Sequence, residues 1–428
     1  MKQGDKIEIK TKDKTYQGIF IQEKDNNVIV KLDNGYNIGI DKKNIKSMKK
    51  TGEGKKIEIK YEEKQKPKKN LPKIAILHTG GTIASKVDYR TGAVFSSFKP
   101  KDLLGLFPEL ADIAEFKSEL ISNMWSDDLR FGHFTLIAET VKKYIKDGFE
   151  GIIIGIGTDN LAIAAAALAF TFENLPIPIL FVGSQRSSDR GSSDAAMNII
   201  CATHFITKTD FAGVAICMHD QTDDKACAIL PACKTRKMHA SRRDAFKAIN
   251  DTAIAKVDYF SRKIKFIKNV YMKKNKKREF ILRPNFEEKV ALLKVHVNMF
   301  PEQFEFFKGY KGLVIEGTGL GHTPGHVPND ICKIHAKIFP AIKSVIDSGC
   351  VVIMTTQTIF GRVQMHVYDK GTDLVNLGVI PGEDMLAETA LVKLSWLLAN
   401  YKKEEVKKLI TQNLRGEINP RIEVNEYL

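Results

Sequence analysis

From residue 71 onward, continuous apolar runs bounded by glycine alternate with stretches of helical spacing. "KIAILH" (73–78), "GIIIGIG" (151–157), "IPILFVGS" (177–184) and "FAGVAICM" (211–218) lack the in–out alternation of a half-exposed strand, so each reads as a strand buried on both faces. Between them lie helical candidates at 133–147, 159–172 and 192–206. A strand buried on both faces needs cover above and below, and strands alternating with helices supply it as a parallel, doubly wound α/β sheet. A second set follows: "VALLKVHV" (290–297), "GLVIEG" (312–317), a helix at 333–349, "VVIMTTQ" (351–357) and a last helix near 386–400. It predicts a smaller C-terminal α/β domain.

At 428 residues the chain exceeds what one core usually serves, so more than one domain is expected. The first 60 or so residues read differently from the rest. "KIEIK", "TYQGIFIQE" and "NNVIVKLDNGYNIGI" alternate as short strands with the turn signals "KDK" and "DNG" between them. They predict a small all-β, barrel-like (SH3-like) domain over 1–60. The basic stretch "YEEKQKPKKN" follows as a linker (61–70), then a larger domain (71–285) and a smaller one (286–428).

Charge is unevenly spread over this plan. The net charge is +15, of which residues 1–73 hold +9 and "RKIKFIKNVYMKKNKKR" (262–278) another nine, leaving the remainder close to neutral. The basic segments could meet RNA phosphates or form a lysine-rich solvated surface. No apolar run is long enough to span a membrane, and "MKQGDKIEIK" lacks the apolar core of a signal peptide, which implies no membrane and a cytoplasmic location. Cys201, Cys217, Cys227, Cys233, Cys332 and Cys350 show no CxxC spacing and read as reduced structural thiols.

In an open parallel sheet, ligands sit beyond the carboxyl ends of the strands, so the residues just after each run carry the chemistry. After 73–78 comes Thr79-Gly80-Gly81-Thr82. It has neither the spacing nor the Lys-Ser/Thr pair of a P-loop, and it is not GxGxxG. A plain turn explains the glycines but not a hydroxyl on each side. A sharp reversal there would expose the Thr82 hydroxyl and neighbouring N–H donors. After 151–157 come Thr158 and Asp159, where Asp159 could cap the following helix or orient a proton relay. A threonine nucleophile needs a base, and Lys237 in "KTRKMHASRRDAF" is a candidate. His322 and His326 in "GLGHTPGHVP" have i, i+4 spacing, but a Gly/Pro-rich loop does not bring such a pair together, so no metal is expected.

"TGGTIAS", "GTD" and Lys237 with Phe246 nine residues on resemble the L-asparaginase family of amidohydrolases. "NGYNIGID" (34–41), "TGGTIASKVDYRTGAV" (79–94), "GSQRSSDRGSSDAAMN" (183–198), "RKMHASRRDAF" (236–246), "IEGTGLGH" (315–322) and "GVIPGEDML" (378–386) are similar to its archaeal-type branch, the D subunit of glutamyl-tRNA(Gln) amidotransferase. The likeness spans nearly the whole chain, including the small N-terminal domain that free-standing asparaginases lack.

The resemblance implies an asparaginase-like two-domain α/β fold and a glutaminase activity. Thr82 takes the place of the nucleophile, Tyr89 that of a tyrosine in the loop after it, and Thr158, Asp159 and Lys237 that of a second triad. Gly81, Gly157 and Ser122 fall in the substrate-binding segments, and Thr79 serves structure. The family usually has His-Gly-Thr-Asp-Thr where this chain has Ile156-Gly157-Thr158-Asp159-Asn160, which puts local hydrogen bonding in question. The implied partners are a second copy in a homodimer, the E subunit of the amidotransferase, tRNA(Gln) through the complex, and glutamine as substrate. No cofactor is expected on this chain; ATP and Mg²⁺ belong to the partner. A free-standing asparaginase or a weakened scaffold binding RNA or a partner are the alternatives.

Overall fold

The computed structural model describes the chain except residues 3, 25, 33–36, 54–69, 81–84, 88–93, 97–107, 187–192 and 423–428. The 61–70 linker therefore lies outside the described residues, apart from Asn70.

The N-terminal strands β1 (Asp5–Thr11), β2 (Thr15–Lys24), β3 (Asn27–Leu32), β4 (Asn37–Asp41) and β5 (Ile45–Glu53) form one antiparallel sheet in the order β4-β3-β2-β1-β5. Strict alternation aims Ile7, Ile9, Val28 and Val30 inward, where they pack with Phe20 and Ile40. Bulges between Lys6 and Ile7, Lys10 and Thr11, and Phe20 and Gln22 add twist, which a sheet this small needs to close over its own core.

The larger domain is built on an eight-stranded sheet. Its strands are β6 (Lys73–His78), β7 (Glu115–Leu120), β8 (Gly151–Gly155), β9 (Pro178–Val182), β10 (Gly213–His219), β11 (Ala226–Pro231), β14 (Ala255–Asp258) and β15 (Ile264–Phe266). Between β11 and β14, the short strands β12 (Thr235–Lys237) and β13 (Phe246–Ala248) pair as a separate hairpin. The order across the sheet is β15-β14-β11-β10-β9-β8-β6-β7. The strands from β10 to β7 are parallel, as the apolar runs require. From β10 to β15 the pairing turns antiparallel. The reason is loop length: residues 220–225 between β10 and β11 are too few for a crossover, so the chain must fold straight back. The sheet is thus mixed, with a parallel centre.

Helices α1 (Phe131–Lys146), α2 (Leu161–Thr171) and α3 (Ala195–Lys208) cover it. The smaller domain has a four-stranded parallel sheet, β16 (Val290–Lys294), β17 (Gly312–Gly317), β18 (Val351–Thr356) and β19 (Ile380–Pro381). Its longer helices are α4 (Ile338–Asp347), α5 (Asp369–Leu377), α6 (Ala387–Asn400) and α7 (Lys403–Leu409). The expected helix over 333–349 begins as a 3₁₀ stretch, Asp330–Lys337, and becomes α4 only after it.

Helix α2 is apolar all round because it is covered on both sides: by the large sheet and by α6. Trp396 of α6 stacks on Phe170 of α2 with centroids 5.7 Å apart, and its Nε1–H donates to the Arg283 carbonyl at 3.0 Å. The cores of the two α/β units are therefore one continuous body.

The order of connection fixes where a site can form. From β6 the chain moves to β7 on one side, then to β8, β9 and β10 on the other. The direction of winding reverses between β6 and β8, so a crevice opens beyond their carboxyl ends. The segments after those two strands are 79–82 and 156–160.

Candidate active site

Strand β8 ends at Gly155, and the Ile156 N–H still pairs with the Val182 carbonyl at 3.1 Å. The next residues break from the sheet and put Thr158 and Asp159 at the crevice. Lys237 reaches it from the end of β12, opposite buried Phe246 in the hairpin with β13. Its Nζ donates to Thr158 Oγ1 at 2.9 Å and to Asp159 Oδ1 at 2.9 Å. The Asp159 side chain is 72% exposed and that of Lys237 14%. An ion pair with one partner this open adds little stability. Helix α2 has Asn160 as its N-cap residue, with no side-chain capping bond. The Asp159 carboxylate is thus turned to the lysine, not to the helix end.

Two supports surround this triad. The first is the loop after β7. Ile121 N–H donates to the His78 carbonyl at 2.8 Å and Met124 N–H to the Thr79 carbonyl at 3.0 Å, so Ser122 is carried beside the end of β6. The buried Ser126 then accepts the Asn160 N–H through Oγ at 3.3 Å, and its carbonyl accepts Asn160 Nδ2–H at 2.7 Å. The approach is so close that a Cβ at Gly157 would lie 2.8 Å from Ser126 Oγ. Gly80, at φ +98°, follows β6 where a Cβ would lie 2.8 Å from the Met124 carbonyl oxygen.

The second support is the turn after β9. Gln185 Oε1 lies 3.5 Å from Thr158 Oγ1. Its backbone N–H reaches both oxygens of Asp194 at 3.0 Å, and Arg186 N–H adds a contact at 3.2 Å. Burial pushes the Asp194 carboxyl up, and these amides oppose the shift. Asn198 Nδ2–H ties the same turn to the Gly183 carbonyl at 3.0 Å, while its Oδ1 meets His219 Nδ1 at 2.7 Å. Burial pushes that imidazole down, against the pull of Asp194 and of Asp224, whose Oδ1 lies 3.4 Å from its Nε2.

Comparisons with known proteins follow this layout. The family model "Asparaginase, N-terminal" matches residues 73–271, "Glutaminase/Asparaginase C-terminal domain" matches 289–410, and "GatD N-terminal domain" matches 1–50. The glutamyl-tRNA(Gln) amidotransferase D subunit of Pyrococcus furiosus is 44% identical over 99% of this chain and 94% of its own. That of Methanococcus maripaludis strain C7 is 43% identical over 98% of each. The chain belongs to the glutamyl-tRNA(Gln) amidotransferase D-subunit family. Among solved structures, the thermostable L-asparaginase from Thermococcus kodakarensis superposes with TM-score 0.71 at 28% identity, covering 82% of this chain and all of that one. L-asparaginase I from Vibrio cholerae gives 0.69 at 26% identity over the same share of this chain.

Chains of this family thus carry an asparaginase-like amidohydrolase unit behind a distinct N-terminal domain. Thr158, Asp159 and Lys237 come together in direct contact, with Gly157 and the Ser122 loop beside them. Gly81, Thr82 and Tyr89 lie outside the described residues, although Ser85–Val87 pairs with Val94–Ser96 around the last of them. Thr79 continues the sheet, its N–H donating to the Gly155 carbonyl at 3.0 Å. Ile156 is fully buried in the core, and Asn160 fastens Ser126, so both departures from the family pattern have packing roles here.

Sequence reasoning singled out neither Ser126 nor His219, and it quoted 183–198 as one motif without picking out Gln185, Asp194 or Asn198. Gln185 had a signal, its place directly after an apolar strand; the others act through folded neighbours. His326 Nε2 bonds Asp373 Oδ2 at 2.9 Å and His322 packs edge-on against Tyr368. Among the described residues no group of three or more His, Cys, Asp or Glu could hold a metal ion, and no helix is long and apolar enough to cross a membrane. A cavity of about 560 Å³ opens at the start of β10, at the far end of the strands from the triad, and its charges are mutually paired, Lys268 with Asp251 and Arg415 with Glu173.

Proposed function

We propose that this chain is the glutaminase component of a tRNA-dependent amidotransferase. The observation that carries the reading is the meeting of Thr158, Asp159 and Lys237 at the reversal point of a parallel sheet, in a chain of the D-subunit family. In this reading the Thr82 hydroxyl attacks the side-chain amide carbon of glutamine and gives up its proton. The tetrahedral intermediate collapses to a glutamyl ester as ammonia leaves with that proton. Water then cleaves the ester to glutamate and restores Thr82. Lys237, positioned by Asp159, moves protons through Thr158. Tyr89 covers the nucleophile, and Ser122, Gly81 and Gly157 bind the substrate or let it approach.

The ammonia passes to a partner, the E subunit of the amidotransferase, which activates the glutamate of Glu-tRNA(Gln) with ATP and Mg²⁺; the product is Gln-tRNA(Gln). This chain acts as a homodimer in that complex. The domain division we adopt is 1–60, 61–70, 71–285 and 286–428. The match of residues 1–50 to a GatD N-terminal domain favours this reading over a free-standing asparaginase.

Ammonia release from glutamine and asparagine, with and without the partner protein and tRNA, tests the proposal. We expect glutamine to be preferred, and Thr82→Ala and Lys237→Ala to abolish release. Full activity in either variant overturns the assignment. A folded, inactive parent that still binds partner and tRNA would support the scaffold reading instead.

A further inference from the structure

The residues that lead into Lys237 are held by one short segment of the smaller domain. The Cys233 carbonyl accepts Thr389 Oγ1–H at 2.9 Å. Lys234 Nζ donates to Asp384 Oδ2 at 2.6 Å and to the Asp384 carbonyl at 2.8 Å, with both side chains fully buried. Arg236 Nη2 meets Glu388 Oε1 at 3.2 Å. The other Asp384 oxygen accepts the Asn419 N–H at 2.9 Å, and Asn250 Nδ2–H reaches the Asp384 carbonyl at 3.4 Å. Three of the four positions before Lys237 are thus fastened to residues 384–389, across the seam between the two α/β units.

Stability alone does not explain this. A buried ion pair recovers its desolvation cost only with good geometry and added hydrogen bonds, and apolar residues of equal volume often serve as well. What it supplies is a fixed direction. Lys234 and Lys237 are three residues apart, roughly 10 Å of extended chain, so a pin at one end sets the reach of the other. Displacing a catalytic group by about 1 Å can cost on the order of a hundred-fold in rate.

We propose that Asp384 is a positioning residue for Lys237: through Lys234 it sets the strand that carries the amine, and so makes turnover in the larger domain depend on docking of the smaller one. This rests on the role given to Lys237 above. The grip of Thr389 on the Cys233 turn and of Glu388 on Arg236 belongs to the same device.

The test uses the full chain and glutamine. Lys234→Met/Asp384→Leu removes both charges together, which avoids stranding one in the core. Thr389→Val removes a single tether. We expect the pair variant to lose about ten-fold or more in kcat with KM changed less than about two-fold, and Thr389→Val to lose about three-fold in kcat. Acylation of the Lys237 amine, followed by peptide mass spectrometry across pH, should shift its profile in the pair variant. Folded variants with parental kcat and a parental acylation profile overturn the proposal. Should the pair variant not fold, parental kcat in Thr389→Val overturns it alone. Lys237→Met is run in parallel: if it keeps full activity, the role of Lys237 has failed, whatever the seam variants do.

Discussion

Lys237 and Thr158, 79 positions apart in the chain, meet at 2.9 Å between Nζ and Oγ1. The contact joins the end of a hairpin to the turn after a central parallel strand, and Asp159 completes it from the next position. In the proposed mechanism this amine acts as protons move, not as the substrate docks. Replacing it by methionine keeps the stem and removes the head. Lys237→Met should lower kcat by about 10²–10⁴-fold and leave KM within a few-fold. Steady-state ammonia release measures both, and a change confined to KM contradicts the role.

Gly157 faces the Ser126 side chain across a gap too small for a methyl group: a Cβ there would lie 2.8 Å from Oγ and 2.9 Å from Cβ of Ser126. Gly157→Ala should force the loop 121–126 away from the Thr158 turn, at a cost of about 1–3 kcal/mol. Ser126→Gly in the same chain removes both clashing atoms, and the double variant should recover part of the loss. Urea unfolding of the two single variants and the double one gives the coupling. Additive effects would place the strain elsewhere.

Much of this site was legible in the sequence because strand ends announce themselves. Strand β6 matches its apolar run residue for residue, and the Thr158-Asp159 turn falls where the second run stops. Lys237 was found through its motif, and nothing local marks it as the lysine that folds back, since Lys234 three residues earlier goes to Asp384 instead. The short strands β12 and β13 are three residues each, too brief for any periodicity. The antiparallel strands β11, β14 and β15 were not read as strands: they are short, and only the brief connection 220–225 announces the reversal. Polar supports such as Asp194 and Asn198 look like surface residues until the fold buries them.

Acid should weaken the fold, and His204 predicts where. Burial, with the nearby Lys208 and Arg262 cations, holds its imidazole down at about 4 against an ordinary 6.5. The unfolded chain therefore binds a proton that the folded chain refuses between those values. Stability contributed by the neutral ring is present above the unfolded pKa and is lost as pH falls from about 6.5 toward 4; below that the loss is complete. The buried His219 pulls in the same direction. The urea midpoint should fall between neutral and mildly acidic buffer, and fall less in His204→Gln. Equal slopes in parent and variant would remove His204 as the cause.

The basic stretch 262–278 is stitched to the body along most of its length. Lys268 pairs with Asp251 at 2.5 Å, Lys273 with Asp210 at 3.1 Å and Lys276 with Glu150 at 3.1 Å. Lys274 bonds the Ile206 carbonyl, Arg278 the Leu175 carbonyl, and Arg262 lies over the Tyr259 ring. Neutralising the whole stretch would loosen the sheet edge and confuse folding with binding. Lys263, Lys265 and Lys277 are exposed and have no such ties among the described residues, so they are the cations free to meet phosphate. If the stretch touches tRNA in the assembled complex, changing these three to serine should weaken complex formation and flatten its dependence on salt, by up to about one slope unit for each phosphate no longer neutralised. Titration at two salt concentrations reads both quantities. The unfolding midpoint of the same variant should stay at the parental value, because no pinned side chain has been touched and the backbone pairing of 263–265 remains. Unchanged affinity and slope would make the stretch a structural brace for the sheet edge, with most of its charge spent on the carboxylates and carbonyls beneath it.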